Sequence, residues 1–286
     1  MKNNIAILIL AHHNAEQLSL LINHLKPNFD IYVQIDKKSD LEINQLPKSQ
    51  NLYYFKEIDV FWGHFTQILN MKFILERAYQ KGYDMYCFIS GDDFPIKSNE
   101  HIKTFFNSNK NNIYMYANPL PITSWGFNNG FDRLDRYWFM KIYSRKFVKI
   151  FARLTLVFQR ILFIKNKRFP IKYYAGSNWL NLTHESVIYV FNFLKQNPNY
   201  LKKLRYSRAT DEIWIQTILM NSPLKEKVVN DDLRYIDWTT GPDFPRILDY
   251  TDLEKIKDSK AIFARKILFN DSLSYSNILD IQKKEK

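Results

Sequence analysis

Ile5 to Ala11 is an unbroken apolar run, the pattern of a strand covered on both faces. Behind it Asn14 stands as a helix N-cap with Gln17 three residues on, and Leu18, Leu21, Ile22 and Leu25 recur at helical spacing until Pro27. Ile31, Val33 and Ile35 alternate as a second strand that ends at Asp36, and a third short strand is predicted over Leu52–Phe55. Ile68, Met71, Leu75 and Ala78 predict a helix leading into a buried strand over Met85–Ser90. Strands alternating with amphipathic helices predict an α/β sheet with crossovers, parallel in its first half. In such sheets ligands bind beyond the carboxyl ends of the strands, where His12, His13, Asp36 and Gly91-Asp92-Asp93 stand.

The second half is less regular. Residues 107–145 lack periodicity, are rich in Asn, Tyr and Trp, carry Arg133 and Arg136, and read as substrate loops. Residues 146–168 set Phe147, Ile150, Phe151, Leu154, Val157, Phe158, Ile161 and Leu162 at helical spacing among Lys146, Lys149, Arg153, Arg160, Lys165, Lys167 and Arg168. Two readings stand: an amphipathic helix packed on the core, or a helix lying on an anionic membrane surface. A strand is predicted near Trp179–Leu182, then a helix capped by Thr183 with Val187, Val190, Phe191 and Leu194 on one face. Another helix starts at Asp211-Glu212 and runs to Asn221, and Thr251 to Glu254 reads as a capping box. The Lys-rich end, Gln282 to Lys286, is expected to fray. No internal repeat or low-complexity linker divides the chain, so one domain over 1–286 is the economical expectation.

Composition narrows this picture. The 286 residues are 46% apolar, 24% charged and 16% aromatic, enough to bury a large core, which excludes wholesale disorder. Lys and Arg number 41 against 29 Asp and Glu, a net charge of +12 that invites nucleic acid, anionic lipid or a phosphorylated substrate without choosing among them. One cysteine, Cys87, excludes a disulfide scaffold and a multi-cysteine metal site. No stretch reaches the ~18 apolar residues of a membrane-spanning helix. The first apolar run meets His12-His13-Asn14 where a signal peptide would have a small-residue cleavage site.

Chemistry is constrained by what is missing. No two aspartates lie two positions apart, so the Asp-x-Asp pair that commonly holds a divalent metal in nucleotide-sugar enzymes is absent. Asp92-Asp93 and Asp231-Asp232 are adjacent, and neighbouring side chains on extended backbone point to opposite faces, so a metal site is disfavoured. With 7 glycines and no glycine-rich phosphate motif, any phosphate must be met by side-chain cations, for which Arg246, Arg265 and Lys266 are candidates. Glu212 either complements a helix dipole or serves as a general base. Trp238 is either a core residue or a platform for a sugar ring.

Eight segments, in order, resemble the Core-2/I-branching β-1,6-N-acetylglucosaminyltransferases (glycosyltransferase family fourteen), a family that includes peptide O-xylosyltransferases. They are Ile9 to Asn14, Val33 to Asp40, Phe61 to Gln67, Ile89 to Lys97, Gly176 to Thr183, Thr210 to Trp214, Asn230 to Trp238 and Phe263 to Lys266. The resemblance implies a GT-A-type α/β fold, a mixed, mostly parallel sheet flanked by helices, and inverting transfer from a UDP-sugar with no metal or other cofactor. Carried over by position, Glu212 matches the catalytic base, and Arg246 and Lys266 match the basic residues on the diphosphate. Asp36, with Ala11, His12, His13 and Asp93, falls on the nucleotide side. Trp238, Trp179, Arg133 and Arg136 fall on the acceptor side. The implied division is a nucleotide-binding half over 1–106, acceptor loops and basic helix over 107–170, a catalytic and diphosphate-binding half over 171–268, and a tail over 269–286. Vertebrate members carry a membrane anchor, a stem and several disulfides. This chain starts on its first strand with one cysteine, so the expectation is a bacterial, cytoplasmic enzyme, peripheral at the inner face of the membrane. It would move GlcNAc, or alternatively xylose, to an oligosaccharide or lipid-linked glycan of the cell surface. Against nucleic acid as partner, no helix-turn-helix or RNP-like signal appears and the basic residues are spread out. A sugar-binding protein that has lost catalysis is the remaining alternative, opposed by retention of Glu212, Arg246 and Lys266.

Overall fold

The computed structural model describes residues 4–125, 127–139, 148–240 and 244–283, without the side chains of 127 and 148–153. The first half runs β1 (Ile5–Ala11), α1 (Ala15–Leu25), β2 (Asp30–Ile35), β3 (Leu52–Phe55), α2 (Thr66–Tyr79), β4 (Met85–Ser90), β5 (Phe94–Pro95) and α3 (Asn99–Ser108). Short pieces follow: β6 (Ile113–Tyr114), β7 (Asn118–Pro119), α4 (Asp132–Asp135), α5 (Val148–Ile161), β8 (Tyr174–Ala175) and β9 (Asn181–Thr183). The chain closes with α6 (His184–Gln196), α7 (Asn199–Leu204), α8 (Trp214–Met220), β10 (Val228–Val229), β11 (Arg234–Ile236), α9 (Leu253–Asp258), β12 (Phe263–Arg265) and α10 (Tyr275–Lys283).

The main sheet has seven strands in the order β10-β6-β9-β4-β1-β2-β3. β4, β1, β2 and β3 are parallel neighbours, and β9 enters antiparallel to both β4 and β6. The expected α/β sheet, mixed and mostly parallel with helices on both faces, is therefore what forms. Alternation along β1 explains its continuous apolar sequence. Ile5, Ile7, Ile9 and Ala11 join one core with α1, α9 and α10, while Ala6 and Leu8 join a second with α2, α6 and α8. A three-stranded sheet, β11-β12-β5, stands beside the main one and carries the end of the chain to the mouth of β4.

Several predicted details shift. Asn14 caps α1 by accepting from the Gln17 amide at 3.0 Å, but the Gln17 side chain turns away and accepts from Phe269 N at 3.1 Å. α3 has no counterpart among the predicted helices, because it buries only Ile102 and Phe106. The capping box lies two residues earlier than expected: Asp249 and Asp252 cap a 3-10 turn over Tyr250–Asp252, which leads into α9. Of the end expected to fray, Gln282 is held, its amide donating to Pro95 O at 2.8 Å while Ile278 and Ile281 of α10 enter the core, and residues 284–286 lie outside the described residues. In the basic apolar segment, Lys146 and Phe147 lie outside the described residues, as do the side chains of Lys149, Ile150, Phe151 and Arg153.

Candidate active site

Parallel packing leaves β1 and β2 ending side by side, with Asp36 N donating to Ala11 O at 2.8 Å. The Asp36 carboxylate is engaged by its own loop, accepting from Lys38 N at 3.0 Å, Lys38 Nζ at 2.6 Å and Val60 N at 3.1 Å. Beyond Ala11 the two exposed imidazoles touch, His13 Nδ1 lying 2.9 Å from His12 Nε2. Burial, and then the neighbouring His13, holds His12 below the ordinary histidine range. His13 Nε2 is 3.1 Å from Asp92 Oδ1, and Lys266 Nζ is 3.4 Å from Asp92 Oδ2. One buried carboxylate thus gathers an imidazole and an ammonium at the carboxyl ends of β1 and β4, where an anion would meet them.

Asp92 and Asp93 diverge in the turn after β4, which Asp93 N closes by donating to Ser90 O at 3.2 Å. Asp93 is fully buried and accepts from Ser90 N at 2.8 Å, Ser90 Oγ at 2.9 Å and Arg265 Nη1 at 2.7 Å. The Arg265 guanidinium in turn lies 4.2 Å over the Trp179 ring. The sequence expectation put Asp93 on the nucleotide side and Trp179 on the acceptor side; the structure places Asp93 inside the protein, orienting Arg265, with Trp179 backing the same guanidinium.

Arg246 and Lys266 are brought together through backbone, Lys266 N donating to Arg246 O at 3.3 Å and Leu248 N to Lys266 O at 2.8 Å. Their side chains differ in availability. Arg246 pairs with three carboxylates, Asp237 at 2.9 Å, Asp249 at 3.1 Å and Asp252. Hydrogen bonds from Thr239 and then Arg246 pull the Asp237 carboxyl down to about 2. Lys266 makes one looser contact, with Asp92 at 3.4 Å, so it is the more available cation of the two.

The second cluster is built on a 3-10 turn, Thr210–Glu212, that Ile213 (φ −128°, ψ −38°) separates from α8. Glu212 is therefore not in the first turn of an α-helix, and the dipole reading of this residue falls away. Buried Asp211 accepts from Gln67 Nε2 and Asn178 Nδ2, both at 3.1 Å. Glu212 points the other way and keeps 35% of its side-chain surface, its Oε2 receiving Arg133 Nη1 at 2.7 Å. The Arg133 guanidinium lies 3.7 Å over Trp125. Enclosure by the protein raises both carboxyls above their ordinary range, Glu212 raises Asp211 further, and Arg133 and Arg208 oppose the rise at Glu212. The result is a hydrogen-bonded carboxylate pair of which only Glu212 reaches solvent.

Aromatic side chains join the clusters. Arg208, which attracts Glu212, lies 5.6 Å over exposed Trp62; Trp62 is 6.3 Å from Phe244; and Lys266 Nζ is 6.0 Å from the Phe244 ring. Trp238 is half exposed in the loop after β11. Arg133 is at the carboxylate, but Arg136 is not: it donates to Ile164 O at 2.7 Å and belongs to the α5 attachment, against the sequence expectation. Sequence reasoning passed over Arg208 and Trp125, and gave no role to Trp62, Gln67 and Asn178, although these lie in the segments that carry the resemblance. The signal present was Trp62 beside Gly63, whose left-handed φ of 67° and carbonyl contact with Ala209 N at 2.8 Å fold that loop onto the carboxylate turn.

Among the described residues no group of three or more His, Cys, Asp or Glu side chains converges as metal ligands, and no helix is long and apolar enough to cross a membrane. No curated protein matches the chain. The family model described as Core-2/I-Branching enzyme matches residues 5–258, from the first residue of β1 to the last of α9. That span takes in the imidazole–carboxylate cluster, Glu212 with its arginine and the seven-stranded sheet, a fold consistent with the GT-A type, and on it the chain belongs to the Core-2/I-branching enzyme family of glycosyltransferases.

Proposed function

We propose that this glycosyltransferase moves a sugar, GlcNAc in β linkage, from a UDP-sugar to a hydroxyl of a glycan acceptor in bacterial surface polysaccharide or lipooligosaccharide synthesis, with inversion and without a metal. Glu212 takes the proton from the acceptor hydroxyl as its oxygen attacks the anomeric carbon from the face opposite UDP. The bond from the anomeric carbon to the diphosphate oxygen breaks in the same step, and the diphosphate leaves with the electron pair. Lys266, beside Asp92 and His13, stabilises the charge that grows there. Arg246, held by three carboxylates, supports the Lys266 backbone and adds its positive charge on the same side of the site. Asp36 and Ala11 to His13 wall the nucleotide, and the exposed Trp238 contacts the acceptor sugar.

The observation that carries this reading is the state of Glu212: enclosed and raised in pKa, yet open to solvent on one side and oriented by Arg133 at 2.7 Å. A carboxyl raised above its ordinary range, facing solvent and oriented by an arginine, is suited to accepting a proton. Release of UDP from UDP-GlcNAc, with water or a glycan as acceptor, tests it. Glu212→Gln is expected to cut the rate about 10²–10⁴-fold while UDP binding is unchanged. Near-full turnover by Glu212→Gln would remove the base assignment. Faster turnover of UDP-xylose than of UDP-GlcNAc would reassign the donor.

A further inference from the structure

Helix α5 is attached to the protein by the wrong face for a core helix. Its polar side holds it: Gln159 is buried and exchanges hydrogen bonds with the Tyr137 backbone at 2.8 and 3.1 Å, and Arg160 Nη2 pairs with Asp132 at 2.6 Å. Just beyond the helix, buried Asn166 donates to Leu134 O at 3.0 Å and Lys203 O at 3.2 Å, and Arg168 pairs with Asp135 at 2.8 Å. The apolar side faces solvent. Leu154, Val157, Phe158 and Ile161, spaced i, i+3, i+4 and i+7, are all exposed, as are Leu162 and Phe163, and none belongs to either core cluster. The expectation of a helix packed on the core by its apolar face is corrected by this geometry. A contiguous exposed patch of this kind marks an interaction surface.

The helix end sharpens the point. Ile164 N donates to Gln159 O at 2.9 Å and Phe163 N to Arg160 O at 3.3 Å, the bonds of a Schellman motif. Its left-handed position, where glycine is preferred, is held by Phe163 at φ 54°, with 85% of its surface exposed. A bulky apolar side chain in a strained conformation, pointing into water, has no stabilising role in the isolated fold.

We propose that this face of α5, with Phe163 at its tip, docks onto an anionic lipid bilayer. The charge around it chooses the occupant. Lys165 and Lys167 follow the tip, and exposed Lys202 and Arg205 lie on α7 and just past it, on the segment that Asn166 bonds. That is the basic rim and apolar stripe of a helix lying in a membrane interface, on a chain of net charge +12. The orientation also serves the site. Residues Asp132 to Tyr137 hold α5 on one side while Arg133, among them, pairs with Glu212 on the other. This last step rests on the proposed function: a docked enzyme would present Glu212 to acceptors carried on lipid.

Flotation with phosphatidylcholine vesicles, with and without phosphatidylglycerol, is the test, run on the full chain. Wild type is expected to float with the anionic vesicles, and at least about ten-fold less with the neutral ones or in high salt. The triple variant Phe158→Ser, Ile161→Ser, Phe163→Ser is expected to stay in the soluble fraction with UDP binding intact, which separates loss of docking from loss of the site. Phe163→Gly guards against misfolding: it is expected to melt at higher temperature, through relief of the left-handed strain, and yet to bind anionic vesicles about five- to ten-fold less. Wild type that remains soluble with anionic vesicles overturns the proposal. So does a dimer in light scattering that the triple variant disperses, since a second copy would then cover the face.

Discussion

Two neighbouring carboxyls set the pH behaviour. Asp211 and Glu212 are both raised above the ordinary range, chiefly by burial. Over the window between their ordinary and raised values the folded chain holds protons that the unfolded chain has lost, so their contribution to stability falls as pH rises through it. Activity is expected to move the opposite way under the proposed role, in which Glu212 must be ionised to accept a proton. Urea melts at pH 5 and pH 8 are expected to show Asp211→Asn losing less stability across that interval than wild type, by on the order of 1–3 kcal/mol. An unchanged slope would mean that Asp211 ionises freely. Arg133 opposes the rise at Glu212, so Arg133→Gln should move the acid limb of the kcat/KM profile up by about one pH unit. A limb that stays in place would detach Arg133 from the base. Glu212 and Lys266 were legible at this scale through the family resemblance. Arg133 was legible as a basic residue of the acceptor side but not as the partner of Glu212, and the Gln67 amide was not singled out at all, because they reach the carboxyls from α4 and α2, 79 and 144 residues away in sequence.

Elements divide by how much each buries. β1, α1, β2, α2 and β4 were readable, since each places a long apolar run or stripe against a core. α3 escaped because two buried residues make a weak period. The turn that carries Glu212 also escaped as a turn: hydrophobic periodicity continues from Thr210 through α8 and conceals the break at Ile213. The orientation of α5 could not be read at all, because periodicity shows that a face exists and not which way it points. One close approach fixes the carboxylate turn against the segment around Tyr116. Gly176 N donates to Glu212 O at 2.9 Å, and a Cβ on Gly176 would come within 1.8 Å of Tyr116 O. Gly176→Ala is therefore expected to cost at least about 2 kcal/mol in denaturant titration and to displace Glu212, lowering UDP release as well. Wild-type stability in that variant would show that the loops give way freely.

For the whole molecule, the alternation of strands and helices predicted the α/β architecture, and the parallel order β4-β1-β2-β3 put the ligand end where His12, His13, Asp36 and Asp92 stand. The small second sheet was not foreseen, because its strands have two or three residues each. It matters because β12 delivers Arg265 and Lys266 to the mouth of the main sheet, where the excess of positive charge becomes local and useful. The central claim is that this mouth holds a nucleotide diphosphate through Lys266 rather than through a metal. Calorimetric titration of UDP in the presence of EDTA tests it most directly. Binding that persists in EDTA, and weakens at least about ten-fold in Lys266→Ala with the fold intact, is the result expected. Binding that appears only on adding a divalent cation, or that is unchanged in Lys266→Ala, would contradict it.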